Sequence, residues 1–140
     1  MKTLLDAFAL LAVLRDEPAT DEVLELIDGG AGISSLNAAE VLDKLRRTGS
    51  SEAQAEADLR GLGAEVVHPP EPVILEAGLL RGRHYHHRRC PVSLADCVAA
   101  AHSVQLAVPL ATADPYLITV ARAEEREVRP LPDSTGKRPD

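Results

Sequence analysis

The chain has 140 residues, a length that fits one domain, and 45% of them are hydrophobic, which is enough for a buried core. Aromatic residues make up only 2% and the formal net charge is −7, which argues against base-stacking folds and general nucleic-acid coat proteins. The two cysteines, Cys90 and Cys97, are too few and too widely spaced for a disulfide framework or a CxxC site, so a reducing cytoplasm is expected.

The stretch from Met1 to Glu17 predicts a strand that is followed at once by a helix. An apolar run of strand length ends at Asp6, and apolar residues at helical spacing begin at Phe8. Asp6 and Arg15 interrupt the run, so neither a signal peptide nor a membrane span is expected. A buried charge costs desolvation energy, and ligands bind at the carboxyl ends of strands in open α/β sheets, which makes Asp6 a candidate functional group.

Short strands and helices alternate along the rest of the chain. Apolar patterns predict strands at residues 2–6, 31–34, 65–67, 108–112 and 127–129. Helices are predicted at residues 7–15, 21–28, 36–47, 51 to about 62, about 74–81, 94–106 and 114 to about 126. This alternation predicts an α/β fold of three layers, α/β/α, with a short central parallel sheet of four to five strands. A single domain of residues 1–132 and a disordered tail of residues 133–140 are expected, because the tail is rich in Pro, Gly and charge.

Four acids stand near points where strands or loops give way to helices, and they are Asp6, Glu40, Asp96 and Asp114. In a doubly wound sheet such positions share one edge. Carboxylates that are crowded there repel one another and have raised pKa values unless cations are present. Oxygen ligands without clustered cysteines suit Mg²⁺ or Mn²⁺ rather than structural zinc. The sequence therefore predicts a divalent-metal site built from these four carboxylates.

Each acid also has a purely structural interpretation as a helix cap. The spacing fits this interpretation in four places, Asp6-Ala7, Asn37-x-x-Glu40, Ser93-x-x-Asp96 and Asp114-Pro115. The two interpretations are compatible, because a carboxylate that accepts a backbone N–H can still coordinate a metal ion.

Four stretches of the sequence carry a resemblance to a known family. In chain order they are LLDAFALLAVLRDEP, SSLNAAEVLDKL, VSLADCVAAAHS and PLATADPYLITVAR. On these stretches the chain resembles PIN-domain proteins, specifically the VapC-type toxin ribonucleases of bacterial toxin–antitoxin pairs. The resemblance implies a Mg²⁺- or Mn²⁺-dependent endoribonuclease that hydrolyses RNA phosphodiester bonds and leaves a 5′-phosphate and a 3′-hydroxyl. It also implies a homodimer that is inhibited by a cognate antitoxin.

The resemblance assigns roles to individual residues. The metal-binding and catalytic acids would be Asp6, Glu40, Asp96 and Asp114. Thr112 matches the family's hydroxyl residue two places before the fourth acid. Two departures simplify the implied metal site: Ala7-Phe8 stands where the family often has a hydroxyl residue, and Tyr116-Leu117-Ile118 replaces an additional acid.

A basic segment, residues 81–89, precedes the third acid's helix. Its candidates for contacts with RNA phosphates are Arg83, Arg88 and Arg89. An equally weighted alternative is a solvated, mobile loop. A zinc site from its histidines is disfavoured, because adjacent histidines point apart in most backbone geometries.

Two other functions are compatible with parts of the sequence. The first is a catalytically inactive PIN-like module that binds RNA or a protein, which the low basic charge favours and the complete acid set opposes. The second is a receiver domain or a phosphatase of another phosphotransfer fold. A receiver requires paired acids after the first strand, and a haloacid-dehalogenase-type phosphatase requires Asp-x-Asp there, but Phe8 occupies that position.

Overall fold

The structure is a computed structural model that describes all 140 residues. Its five strands, β1 to β5, are Thr3–Leu5, Ala31–Ser34, Glu65–Val67, Leu110–Thr112 and Val128–Pro130. Its seven helices, α1 to α7, are Ala7–Leu14, Thr20–Asp28, Ser35–Arg47, Glu52–Gly61, Glu71–His84, Leu94–Gln105 and Pro115–Ala123. The alternation of short strands and helices therefore matches the sequence pattern.

All five strands are parallel and form one sheet in the order β3-β2-β1-β4-β5. Leu5 in the central strand lies opposite Ile33 of β2 on one side and Ala111 of β4 on the other. The chain builds the sheet outward from β1 to β3 and then crosses back to β4. The boundary between β1 and β4 is therefore the switch point, where ligands bind in open α/β sheets.

Helices cover both faces of the sheet. The core on one face joins α1 to α4 with strand residues such as Leu5, Ile33 and Ala111. The core on the other face joins α5, α6 and α7 with Leu110. Leu110 and Ala111 belong to different cores because successive side chains of a strand point to opposite faces. The predicted three-layer α/β/α fold with a parallel sheet is confirmed.

The basic segment differs from the solvated, mobile loop that was one of its two interpretations. The helix α5 continues to His84, so the first part of the segment is its last turn. His86 and Cys90 then form an isolated antiparallel bridge, with N···O distances of 3.0 Å and 2.9 Å between their backbones. The second part is thus a tight turn closed by backbone hydrogen bonds. The helix extends because residues 81–84 contain no proline and Arg83 gains ion pairs there.

The C-terminal residues make several contacts with the domain. Leu131 is fully buried, and Oδ1 of Asp133 accepts hydrogen bonds from the backbone N–H groups of Thr135 and Lys137. Arg138 donates to Glu22 of α2 at 3.0 Å. The division into a domain of residues 1–132 and a disordered tail of residues 133–140 stays a prediction. None of the helices has the length and apolar character needed to cross a membrane.

Candidate metal centre

The four predicted acids lie around one cleft of ≈ 390 Å³, at the carboxyl ends of β1 and β4. The residues that line it are Asp6, Ala7, Phe8, Leu11, Arg15, Glu40, Lys44, Ser93, Asp96, Ala113 and Asp114. The acids come from the end of β1, from α3, from α6 and from the start of α7. The sheet topology thus collects carboxylates from distant parts of the chain.

Asp6 is the most buried of the four acids, with 3% of its surface exposed. It caps α1, since its Oδ1 accepts a hydrogen bond of 3.0 Å from the backbone N–H of Ala9. Its Oδ2 accepts a hydrogen bond from the hydroxyl of Thr112. Burial raises the pKa of Asp6 to about 7, against the lowering effect of both hydrogen bonds and with a further rise from the charges of Asp96 and Asp114.

Thr112 connects two of the acids. It is the last residue of β4 and is fully buried. Its Oγ1 donates to Asp6 and accepts a hydrogen bond of 3.0 Å from the backbone N–H of Asp114. One hydroxyl therefore fixes the end of β1 relative to the start of α7.

Asp96 and Asp114 are helix caps that keep an unused carboxylate oxygen. Oδ2 of Asp96 accepts from the backbone N–H of Ser93 at 3.0 Å, and the Ser93 hydroxyl accepts from the Asp96 N–H, which completes a capping box. Oδ1 of Asp114 accepts from the N–H of Tyr116 at 2.8 Å. The other oxygen of each carboxylate accepts no hydrogen bond within the chain. Burial raises the pKa of Asp96, Ser93's hydrogen bonds oppose that rise, and the charge of Asp114 adds to it.

Glu40 is held by a residue whose role the sequence did not reveal. The interpretation of Asn37 as a helix cap is wrong, because α3 begins directly after β2 and Ser34 occupies the cap position. Asn37 is instead fully buried, and its Nδ2 donates to Oε1 of Glu40 at 2.8 Å and to the carbonyl oxygen of Ala95 at 3.3 Å. Burial raises the pKa of Glu40, and the hydrogen bond from Asn37 lowers it. The sequence signal for this role was the position of Asn37, a polar residue next to the apolar positions of α3.

The side chains of the cleft are of the chemical type that binds a metal ion, but they are not yet close enough to one another to hold one. No three His, Cys, Asp or Glu side chains are close enough, as placed, to hold one ion. The donors are nevertheless all oxygens, which suits Mg²⁺ or Mn²⁺. Burial raises the pKa values of Asp6, Glu40 and Asp96, and a bound cation would stabilise their ionised forms. The residues therefore fit a divalent ion once side chains rotate toward one another.

The three arginines proposed to contact RNA, Arg83, Arg88 and Arg89, lie outside the cleft lining. Arg83 forms ion pairs with Glu76 at 2.9 Å and with Glu124 at 2.6 Å, which tie α5 to the end of α7. Arg88 and Arg89 are exposed, and their backbone N–H groups donate to Nδ1 of His86 at 3.1 Å each. Of these three arginines, only Arg88 and Arg89 have side chains without protein partners.

Comparisons with known proteins agree with this fold. Solved structures that resemble the chain include VapBC2 from Rickettsia felis bound to a promoter DNA fragment, with a TM-score of 0.71 and 17% identity over 94% of this chain and 99% of that chain. DNA-bound VapBC from Salmonella typhimurium has a TM-score of 0.70 and 17% identity, and VapBC-1 from nontypeable Haemophilus influenzae has 0.69 and 18%; each comparison covers 92% of this chain and 97% of the other.

At these identities the likeness concerns the fold. A comparison with the sequences of curated proteins gives no match. A family model described as PIN domain matches residues 3–123, which include all four acids and Thr112. The family that the sequence motifs predicted is thereby confirmed, and the chain belongs to the PIN domain family.

Proposed function

We propose that this PIN-domain protein is a metal-dependent endoribonuclease, and that it is the toxin of a toxin–antitoxin pair. The observation that carries the proposal is the gathering of Asp6, Glu40, Asp96 and Asp114 around one cleft at the switch point of the sheet. Membership in the PIN family and a fold shared with solved VapBC structures support the same reaction class.

Asp6 and Asp96 would be the central ligands of Mg²⁺ or Mn²⁺, and Glu40 and Asp114 would complete the set directly or through water. A bound divalent ion supplies an activated water and neutralises charge that develops on the phosphate. The unused oxygens of Asp96 and Asp114 support this assignment, because each is available to an ion while the other oxygen of the same carboxylate caps the helix.

The chain's own residues prepare the acids for that role. Thr112 holds Asp6 in one orientation and lowers its pKa, which favours the ionised carboxylate that a metal requires. Asn37 acts in the same way on Glu40. In the proposed hydrolysis, water adds to phosphorus and the bond to O3′ breaks. The water oxygen remains on the 5′-phosphate, and a proton ends on the 3′-hydroxyl.

An antitoxin and a second copy of the chain are the proposed protein partners. The solved structures that share the fold are described as VapBC assemblies, which supports an antitoxin. The helix α5 exposes Leu75 and Leu79 by 60% and 63%, and apolar side chains exposed side by side support a protein–protein contact. The cytoplasmic location stays a prediction.

Cleavage of a mixed RNA pool with Mg²⁺ or Mn²⁺, and with excess EDTA, tests the enzymatic proposal. We expect cleavage only with metal, and we expect Asp96→Asn to abolish it. Asp43→Asn is the matched control, because Asp43 is an exposed acid on α3 that pairs with Arg47. Cleavage that persists in EDTA or in Asp96→Asn would overturn the proposal.

One observation favours a second candidate, a catalytically inactive PIN-like module that binds RNA or a protein. No three potential ligands stand at metal-binding spacing in the structure. Thermal unfolding with and without Mn²⁺ separates the two functions, because a ligand that binds only the folded state raises the melting temperature. A Mn²⁺-dependent rise that Asp96→Asn removes supports the enzyme. No rise and no cleavage support the inactive module.

A further inference from the structure

The cleft has a cationic and apolar rim beside its acids. Phe8 and Leu11 of α1, and Arg15 directly after α1, line the cleft at spacings of three and four residues. This spacing places the three side chains along one face of the helix. Lys44 lies one turn beyond Glu40 on α3 and also lines the cleft.

Arg15 and Lys44 are the cations of this cleft, and the charge of Lys44 lowers the pKa values of Glu40 and Asp96. Each is exposed, and neither side chain takes part in an ion pair or a hydrogen bond. Eight of the eleven other arginines are engaged: five pair with carboxylates, namely Arg47, Arg83, Arg126, Arg129 and Arg138, and three donate to backbone oxygens, namely Arg46, Arg81 and Arg122. The protein has a net charge of −7. Two cations beside the four carboxylates attract an anionic strand, so a bound metal ion is not the only source of positive charge in the cleft.

Phe8 is the chain's single phenylalanine, and it is half-buried in the lining of this polar cleft. It packs against the α1–α4 core on one side and lies two residues after Asp6. An aromatic ring that is held by a core and open to a cleft can stack on an unpaired base. Duplex RNA does not offer a free base face, whereas single-stranded RNA does.

We propose that Phe8, Arg15 and Lys44 form a subsite for single-stranded RNA next to the four acids. Arg15 and Lys44 contact phosphates that flank the cleaved one, and Phe8 stacks on a neighbouring base. The inference rests on the proposed ribonuclease function and specifies the substrate as an unpaired strand. It assigns the strand to the α1–α3 rim, whereas the basic segment lies outside the cleft.

The charge contribution can be measured by binding without turnover. A fluorescent single-stranded RNA oligonucleotide is titrated with full-length protein in Ca²⁺ over a range of KCl concentrations, and gels verify that it stays intact. Lys44→Gln and Arg15→Gln should each make the slope of log K against log[KCl] shallower by about 0.7. Arg47→Gln is the matched control on α3, because it removes the same charge from an exposed residue outside the cleft lining. It should leave the slope unchanged.

The stacking contribution has a different signature. Phe8→Leu keeps an apolar side chain against the core but removes the ring. RNA affinity should fall by about 5- to 150-fold, the range expected for one lost base stack, with an unchanged salt slope. A blunt-ended RNA duplex without unpaired bases should bind wild type and Phe8→Leu equally. An unchanged melting temperature confirms that the variant is folded.

The outcomes separate the subsite from the proposed function. If wild type binds and cleaves RNA while Lys44→Gln and Arg15→Gln keep its salt slope, the subsite is wrong and the ribonuclease stands. If Arg88→Gln and Arg89→Gln reduce the salt slope and the two cleft variants do not, the strand lies on the basic segment and the subsite is again wrong. If wild type neither binds nor cleaves RNA, both proposals are overturned.

Discussion

The side-chain amide of Asn37 joins two acid-bearing helices, because it donates to Glu40 at 2.8 Å and to the carbonyl oxygen of Ala95 at 3.3 Å. Ala95 directly precedes Asp96. A single buried amide on α3 therefore fixes Glu40 relative to α6, the helix that carries Asp96.

Asn37→Leu should weaken metal binding more at pH 6 than at pH 8. The hydrogen bond from Asn37 lowers the pKa of Glu40, so its loss leaves more of that carboxyl protonated at the lower pH. The lost buried hydrogen bonds should also destabilise the fold by about 1–3 kcal/mol. Mn²⁺ titrations at both pH values measure the effect. Thr48→Val is the control, because the Thr48 hydroxyl bonds only within α3. Equal affinities for wild type and Asn37→Leu at both pH values would contradict the prediction.

Asp6→Asn should stabilise the metal-free protein at high pH. Burial raises the pKa of Asp6 from 3.8 to about 7, so the native state retains a proton that the unfolded chain releases between these values. The stability linked to that proton is present below about pH 4 and is lost as the pH rises toward 7. In EDTA, the variant should be more stable than wild type by on the order of 2–4 kcal/mol at pH 8, with little difference at pH 4. Thermal unfolding at pH 4, 6 and 8 measures this trend, and a difference that does not vary with pH would disprove it.

Thr112→Val should move the acidic limb of the pH–activity profile to higher pH. The Thr112 hydroxyl lowers the pKa of Asp6, and its removal makes the ionised carboxylate harder to form. Cleavage near neutral pH should fall about 10- to 100-fold, as is usual when a hydrogen bond to a metal ligand is lost. Thr112→Ser should restore the profile. Thr119→Val is the matched control, since its hydroxyl bonds to Pro115 within α7. If activity falls equally at every pH and the acidic limb does not move, Thr112 contributes packing alone.

Charge reversal should affect stability differently at Arg83 than at Arg88 and Arg89. Arg83→Glu places a third carboxylate beside Glu76 and Glu124, so we expect a lower melting temperature that partly recovers at high salt. Arg88→Glu and Arg89→Glu should leave the melting temperature unchanged, because their side chains have no protein partners. If the segment contacts RNA, only these two variants weaken binding at constant stability. Wild-type binding by both variants would remove the segment from the RNA interface.

Local sequence signals were sufficient to predict the helices and strands that position the acids. Ser93 and Asp114 begin helices because a cap forms from neighbours in sequence, and the structure has both caps. Apolar runs between helices predicted a parallel sheet, and the edge that parallel strands share explains why Asp6 and Asp114 line one cleft.

Contacts between distant elements were not predictable in the same way. Asn37 donates to a carbonyl oxygen on α6, and Arg83 pairs with Glu124 at the end of α7. The sequence around each of these two residues is that of an ordinary helix and does not indicate the contact. No sequence pattern distinguished the rim cations Arg15 and Lys44, which line the cleft because of how α1 and α3 pack. Such contacts depend on how helices pack, which periodicity does not specify.

The strand order has a consequence for the nascent chain. The central strand β1 is synthesised early, but its neighbour β4 is formed by residues 110–112. A polypeptide that has emerged from the ribosome only as far as Pro109 carries Asp6 and Asp96, yet it lacks Thr112 and has no strand on one side of β1. The cleft, and any activity that depends on it, can therefore form only after β4 and the start of α7 have been synthesised.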